Sequence, residues 1–86
     1  MTIQNLIING ISHRNQDFLD LILSLKDSSI NSITVIYKNE NKITSTKTTV
    51  YERTPQGWVR TLDKGVECNT PIRVTKVGKY HIIENI

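Results

Sequence analysis

Apolar positions along this chain follow two rhythms. From Asn15 to Lys26 (NQDFLDLILSLK) they recur at helical spacing, and almost everywhere else they alternate with polar residues or gather in short β-branched runs. At about 100° per residue, Phe18, Leu19, Leu21, Ile22, Leu23 and Leu25 spread over roughly 200° of a helix, where a helix lying on one sheet needs little more than about 100°. The spacing therefore predicts a helix over 15–26 with apolar surface to spare. Ser12 or Asn15 suits its N-cap, and Asp17 suits the positive end of its dipole. Part of the spare flank, Phe18, Leu19, Leu21 and Leu23, is a candidate homodimer interface. Loops folded over that flank would serve equally well.

The alternating segments read as strands. Thr2–Asn9 ends at an Asn-Gly turn signal, Ser32–Lys38 follows the helix, and 43–53 follows the polar loop 39–42. Thr54-Pro55-Gln56-Gly57 has the proline and glycine placement of a type I turn and leads into Trp58–Leu62. Asp63-Lys64-Gly65 turns the chain again, Asn69-Thr70-Pro71 breaks it before Ile72–Val77, and Gly78 turns it into Tyr80–Glu84. The expected fold is a single α+β domain over residues 1–86, with one main amphipathic helix packed on a mainly antiparallel sheet of five or six strands. Its order is β-α-β followed by a β-meander. Strand 2–9 can pair parallel to 32–38 across a right-handed crossover, or antiparallel at an edge.

Register then sorts the side chains. A loop at 39–42 sets Tyr37 opposite Thr44, and a turn at 54–57 sets Arg53 opposite Trp58 and Tyr51 opposite Arg60. Alternation collects Ile33, Val35, Tyr37, Val50 and Val59 on one face, the better floor for the helix. The other face collects Ile36, Lys38, Ile43, Lys47, Tyr51, Arg53, Trp58, Arg60 and Leu62.

Composition supports the strand reading. Isoleucine, threonine and valine occur 13, 10 and 6 times, and alanine is absent, which favours pleated structure. Abundant Ile, Asn and Lys without Ala also points to an AT-rich genome, as in a low-GC bacterium or its phage. Cys68 is the sole cysteine, so neither an internal disulfide nor a thiolate zinc cluster is expected. The N-terminus lacks the charge and apolar pattern of a signal peptide, and no run approaches the roughly 18 apolar residues of a membrane span. A soluble, cytoplasmic protein without membrane contact is the expectation.

The net charge of +3 is uneven. Residues 1–30 carry −1 and residues 31–86 carry +4, so the β-rich part favours acidic partners.

Candidate chemistry centres on Lys38, Lys47, Tyr51, Arg53, Trp58 and Arg60. Tryptophan and arginine are enriched at interface hot spots, so these six suit a protein partner with an acidic surface. Aromatic rings interleaved with cations also suit single-stranded nucleic acid. Cross-strand Arg–Trp and Tyr–Arg pairs are equally good local stabilisers. His13 and His81 invite an acid–base reading with Lys76, Arg73 or Tyr80 on a phosphate, but nothing places the two histidines together. Single glycines at turns offer no phosphate cradle, and the acidic residues show no metal-ligand spacing.

The expected function is a small non-enzymatic protein-binding module, such as a phage or mobile-element inhibitor or accessory protein. It would act through the basic-aromatic face, with no catalytic residues, cofactor or metal. Trp58→Ala and Arg60→Glu should then abolish binding at little cost to stability. The alternatives are a single-stranded nucleic-acid-binding protein using the same face, and a sponge for a small anionic ligand such as a nucleotide. The last needs a concave pocket that sequence does not reveal.

Overall fold

The computed structural model describes residues 2–38 and 46–86. β1 (Thr2–Ile8) and β2 (Ile11–Arg14) form a hairpin around Asn9-Gly10. Both turn residues have positive φ, 50° and 83°, the geometry that matches the natural twist of paired strands and that Asn-Gly adopts most readily. Helix α1 (Phe18–Lys26) follows, and then the meander of β3 (Ser32–Lys38), β4 (Thr46–Thr54), β5 (Gly57–Asp63), β6 (Val66–Val77) and β7 (Tyr80–Asn85). All seven strands join one antiparallel sheet in the order β2-β1-β3-β4-β5-β6-β7.

This corrects the expected α+β class. Among the described residues the fold is an open antiparallel β-sheet with one short helix, 67% strand and 12% helix. The helical period over 15–26 overestimates the helix because its first three residues do other work. Asn15 has a positive φ of 60°, and Asp17 is the N-cap instead of Ser12 or Asn15. Its carboxylate accepts from the Asp20 N–H at 3.0 Å, while the Asp20 carboxylate accepts from the Asp17 N–H at 2.8 Å, a reciprocal capping box. Ser12 belongs to β2, a strand the sequence reading missed. β1 is neither parallel to β3 nor at an edge: it lies between β2 and β3 and runs antiparallel to both.

The helix shields one face of the sheet. Leu21, Ile22 and Leu25 point inward and are buried, as are Leu6, Ile30, Ile33, Val35, Tyr51, Trp58 and Ile72. Each such aliphatic side chain contributes about 1.5–3 kcal/mol on burial. Ser24, also buried, donates to the Asp20 carbonyl at 2.8 Å, so it adds no unsatisfied hydroxyl. Three register shifts, in β1–β3, β4–β5 and β5–β6, bend and twist the strands as bulges do. The backbones of β1 on one side and of β6 and β7 on the other approach the helix. Among the described residues no helix covers the opposite face, and Ile7, Ile36, Val50, Val59 and Leu62 are half-buried there.

β6 runs without a break through Asn69-Thr70-Pro71. Proline is tolerated because β6 changes partner there: Pro71 is paired with Val59 of β5, and the pairing with β7 begins at Ile72. A residue at such a handover can lack an N–H without interrupting a ladder, and its carbonyl still accepts from the Ile86 N–H at 3.0 Å.

Candidate functional site

The six residues of the expected binding face do not form one exposed patch. The turn at 54–57 gives the anticipated pairs, Arg53 with Trp58 and Tyr51 with Arg60. The other register differs: Tyr37 pairs with Lys47 and Val35 with Thr49. Relative to the expected Tyr37–Thr44 pairing this is a shift of three residues, and an odd shift exchanges the faces. Lys47, Tyr51, Arg53, Trp58 and Arg60 therefore share the helix side with Ile33, Val35 and Tyr37, while Lys38 stands on the other side. Ile43 and the loop 39–42 lie outside the described residues.

Two of these side chains are core. Tyr51 is 3% exposed and Trp58 7%. The Trp58 indole N–H donates to the Leu25 carbonyl at 2.9 Å, so it satisfies one of the acceptors that a helix C-terminus leaves open. Arg53 stacks on this ring, 4.5 Å from its centroid, and donates to the carbonyls of Ile30 at 2.8 Å and Asp27 at 2.9 Å. Its role here is to fasten the helix exit to the sheet. Neither aromatic ring is available for stacking on bases.

Arg60 is different. It stands on β5 between Tyr51 on β4 and Thr70 on β6, with the guanidinium 5.6 Å from the Tyr51 ring centroid. One of its NH groups donates to the Asn85 side-chain oxygen at 2.9 Å. Arg60, Tyr51 and Asn85 border a cleft of about 570 Å³ near the start of α1, whose lining includes Phe18, Tyr37, Asp63 and His81. Burial pushes the Tyr37 hydroxyl up to about 12, with Tyr51 and Asp63 adding to the shift and Arg60 opposing it. Burial also raises Tyr51, against the hydrogen bond and positive charge of Arg60. Both phenols therefore remain protonated at neutral pH.

A second feature lies on the outside of α1. Phe18, Leu19 and Leu23 are 48%, 56% and 56% exposed, and Tyr80 on β7 is 76% exposed. Phe18, Leu19, Ile22 and Tyr80 border a notch of about 260 Å³, with Lys79 and His81 at its polar side. Leu21, assigned from the sequence to the same flank, is fully buried, because its position on the helix points between the sheet and α1. The sequence identified three of the helical residues in this patch but missed Tyr80, whose only signal was its place beside a glycine turn.

The two histidines stand on opposite edges of the sheet, His13 on β2 and His81 on β7, which separates the anticipated acid–base pair. Cys68 is half-buried and its thiol donates to the Arg60 carbonyl at 3.2 Å. Among the described residues, no group of three or more His, Cys, Asp or Glu side chains could hold a metal ion. No described helix is long and apolar enough to cross a membrane. Comparisons of this chain with protein-family models, with curated proteins and with solved structures gave no match.

Proposed function

We propose that this protein is a binding module that docks on another protein through the outside of α1 and the start of β7. The observation that carries this reading is the exposed apolar group Phe18, Leu19 and Tyr80 around one notch, with Leu23 exposed one turn after Leu19 on the same helix. Scattered apolar residues are ordinary on a protein surface, whereas a contiguous group marks a contact site. Lys79 at the notch and Lys26 at the end of the helix supply positive charge beside it, which suits a partner with an apolar patch bordered by acidic groups. The surface thus moves from the sheet, where Tyr51 and Trp58 are buried, to the helix.

The test is a pull-down with tagged protein from nuclease-treated lysate, comparing wild type with Leu19→Glu/Leu23→Glu. Both leucines are exposed, so the double variant should fold, which circular dichroism checks. A protein retained by wild type and lost with the variant supports the reading. The same retained set with both proteins, or none with either, overturns it. Concentration-dependent self-association abolished by the variant would assign the patch to a second copy of the chain instead.

A further inference from the structure

The cleft beside α1 meets the docking patch at Phe18 and His81, which border both, and is otherwise lined by different residues. Its volume of about 570 Å³ falls within the roughly 300–1,000 Å³ of small-molecule sites. Three kinds of group converge on it. Arg60 offers a guanidinium whose observed neighbours, Asn85 and Tyr51, are both neutral. The one ion pair among the described residues joins Arg73 and Glu84, so no described carboxylate lies within ion-pairing distance of Arg60. Such a fork is suited to a phosphate or carboxylate. Phe18 and Tyr37 provide aromatic surface, with Phe18 half-exposed at the rim. Asp63, also in the lining, brings an acceptor of the kind that holds sugar hydroxyls in nucleotide sites.

We propose that this cleft binds a mononucleotide. Arg60 receives the phosphate, the aromatic surface receives the planar base, and Asp63 accepts from the ribose hydroxyls. Lys64, also in the lining, adds positive charge around the phosphate. The protonated Tyr37 hydroxyl is available as a donor instead of adding negative charge.

Isothermal titration calorimetry of the whole chain with AMP, adenosine and ribose 5-phosphate tests the assignment. AMP should bind more tightly than either part of itself. Arg60→Gln should weaken AMP about tenfold or more, as expected for loss of a charged hydrogen bond, while leaving adenosine unchanged. Because Arg60 also supports Asn85 and Tyr51, Phe18→Ser at the rim serves as a second variant. It should weaken AMP and adenosine but not ribose 5-phosphate. Leu19→Glu/Leu23→Glu should leave AMP binding intact, which separates failure of the docking surface from failure of the cleft. No heat from AMP at millimolar concentration, or equal AMP affinity in wild type and folded Arg60→Gln, overturns the proposal.

Discussion

Removing the Trp58 ring should damage the fold far more than an exposed position would allow. The side chain is 7% exposed, and its indole N–H holds the Leu25 carbonyl at 2.9 Å. Its face carries the Arg53 guanidinium at 4.5 Å. Truncating a buried tryptophan to alanine costs about 3–5 kcal/mol. A chain of this length has about 4–13 kcal/mol in total at the usual per-residue stability. At about 4–8 °C per kcal/mol for a domain of this size, Trp58→Ala should lower Tm by at least about 12 °C, or leave the chain unfolded at room temperature. Trp58→Phe keeps most of the ring volume and isolates the hydrogen bond. Leaving the Leu25 carbonyl unpaired should cost about 1–3 kcal/mol. The assay is thermal and urea denaturation followed by far-UV circular dichroism, because Trp58 is the sole tryptophan and fluorescence vanishes with it. A Tm change below about 5 °C for Trp58→Ala, with an unchanged urea slope, would refute the core placement and return the ring to the surface.

Other outcomes follow from the tethers around the helix. Asn9→Gly keeps the positive φ but removes the side-chain oxygen that accepts from the N–H groups of Asn31 at 2.8 Å and Ser32 at 3.2 Å; urea denaturation should show a loss of about 1–2 kcal/mol. Arg53→Lys keeps the charge but not the planar fork that reaches two carbonyls, and it should destabilise by about 1–3 kcal/mol in the same assay. Acid should weaken the fold through Asp17, Asp27 and Glu84. Their carboxyls are held below their ordinary values, chiefly by hydrogen bonds from the Asp20 N–H, the Ser29 side chain and the Thr75 hydroxyl respectively. Their contributions are present above the ordinary values of 3.8 for aspartate and 4.5 for glutamate and fall away as pH drops through the lowered ones. Asp17→Asn with Asp27→Asn should therefore flatten the acid limb of Tm against pH. At the alkaline end, absorbance titration should find the Tyr37 phenol ionising near 12. Its raised value adds stability that is present below about 10 and lost as pH rises towards 12.

Local chemistry made some of this arrangement readable and long-range pairing hid the rest. The Pro55–Gly57 turn is short and chemically marked, so Arg53–Trp58 and Tyr51–Arg60 could be paired from sequence. Gly78 likewise marks the turn into β7, across which Lys76 pairs with His81. Leu21, Ile22 and Leu25 follow the helical period into the core. The segment 39–45 carries no comparable mark, and a three-residue error across it moved Tyr51 and Trp58 from core to surface. β2 was missed because Ile11–Arg14 is exposed throughout, leaving no alternating apolar signal. The cleft was illegible for a related reason: Phe18, Tyr37, Arg60 and His81 come from four separate elements, and only the curvature of the sheet joins them.

The strand order has a further consequence for how the molecule is assembled from its chain. Of its six pairings, five join strands consecutive in sequence, and only β1 against β3 spans the helix. A cut in the segment 27–31 would divide the chain into a β-hairpin with its helix and a five-stranded meander. The meander alone would present β3 as an open edge, with Ile33 and Val35 uncovered. The other piece carries what completes it: a strand to pair with that edge and the leucines that shelter the face. The two pieces have the complementarity of a plug and socket, which makes this fold a natural candidate for fragment complementation, with the β1–β3 ladder as the seam that closes on reassembly.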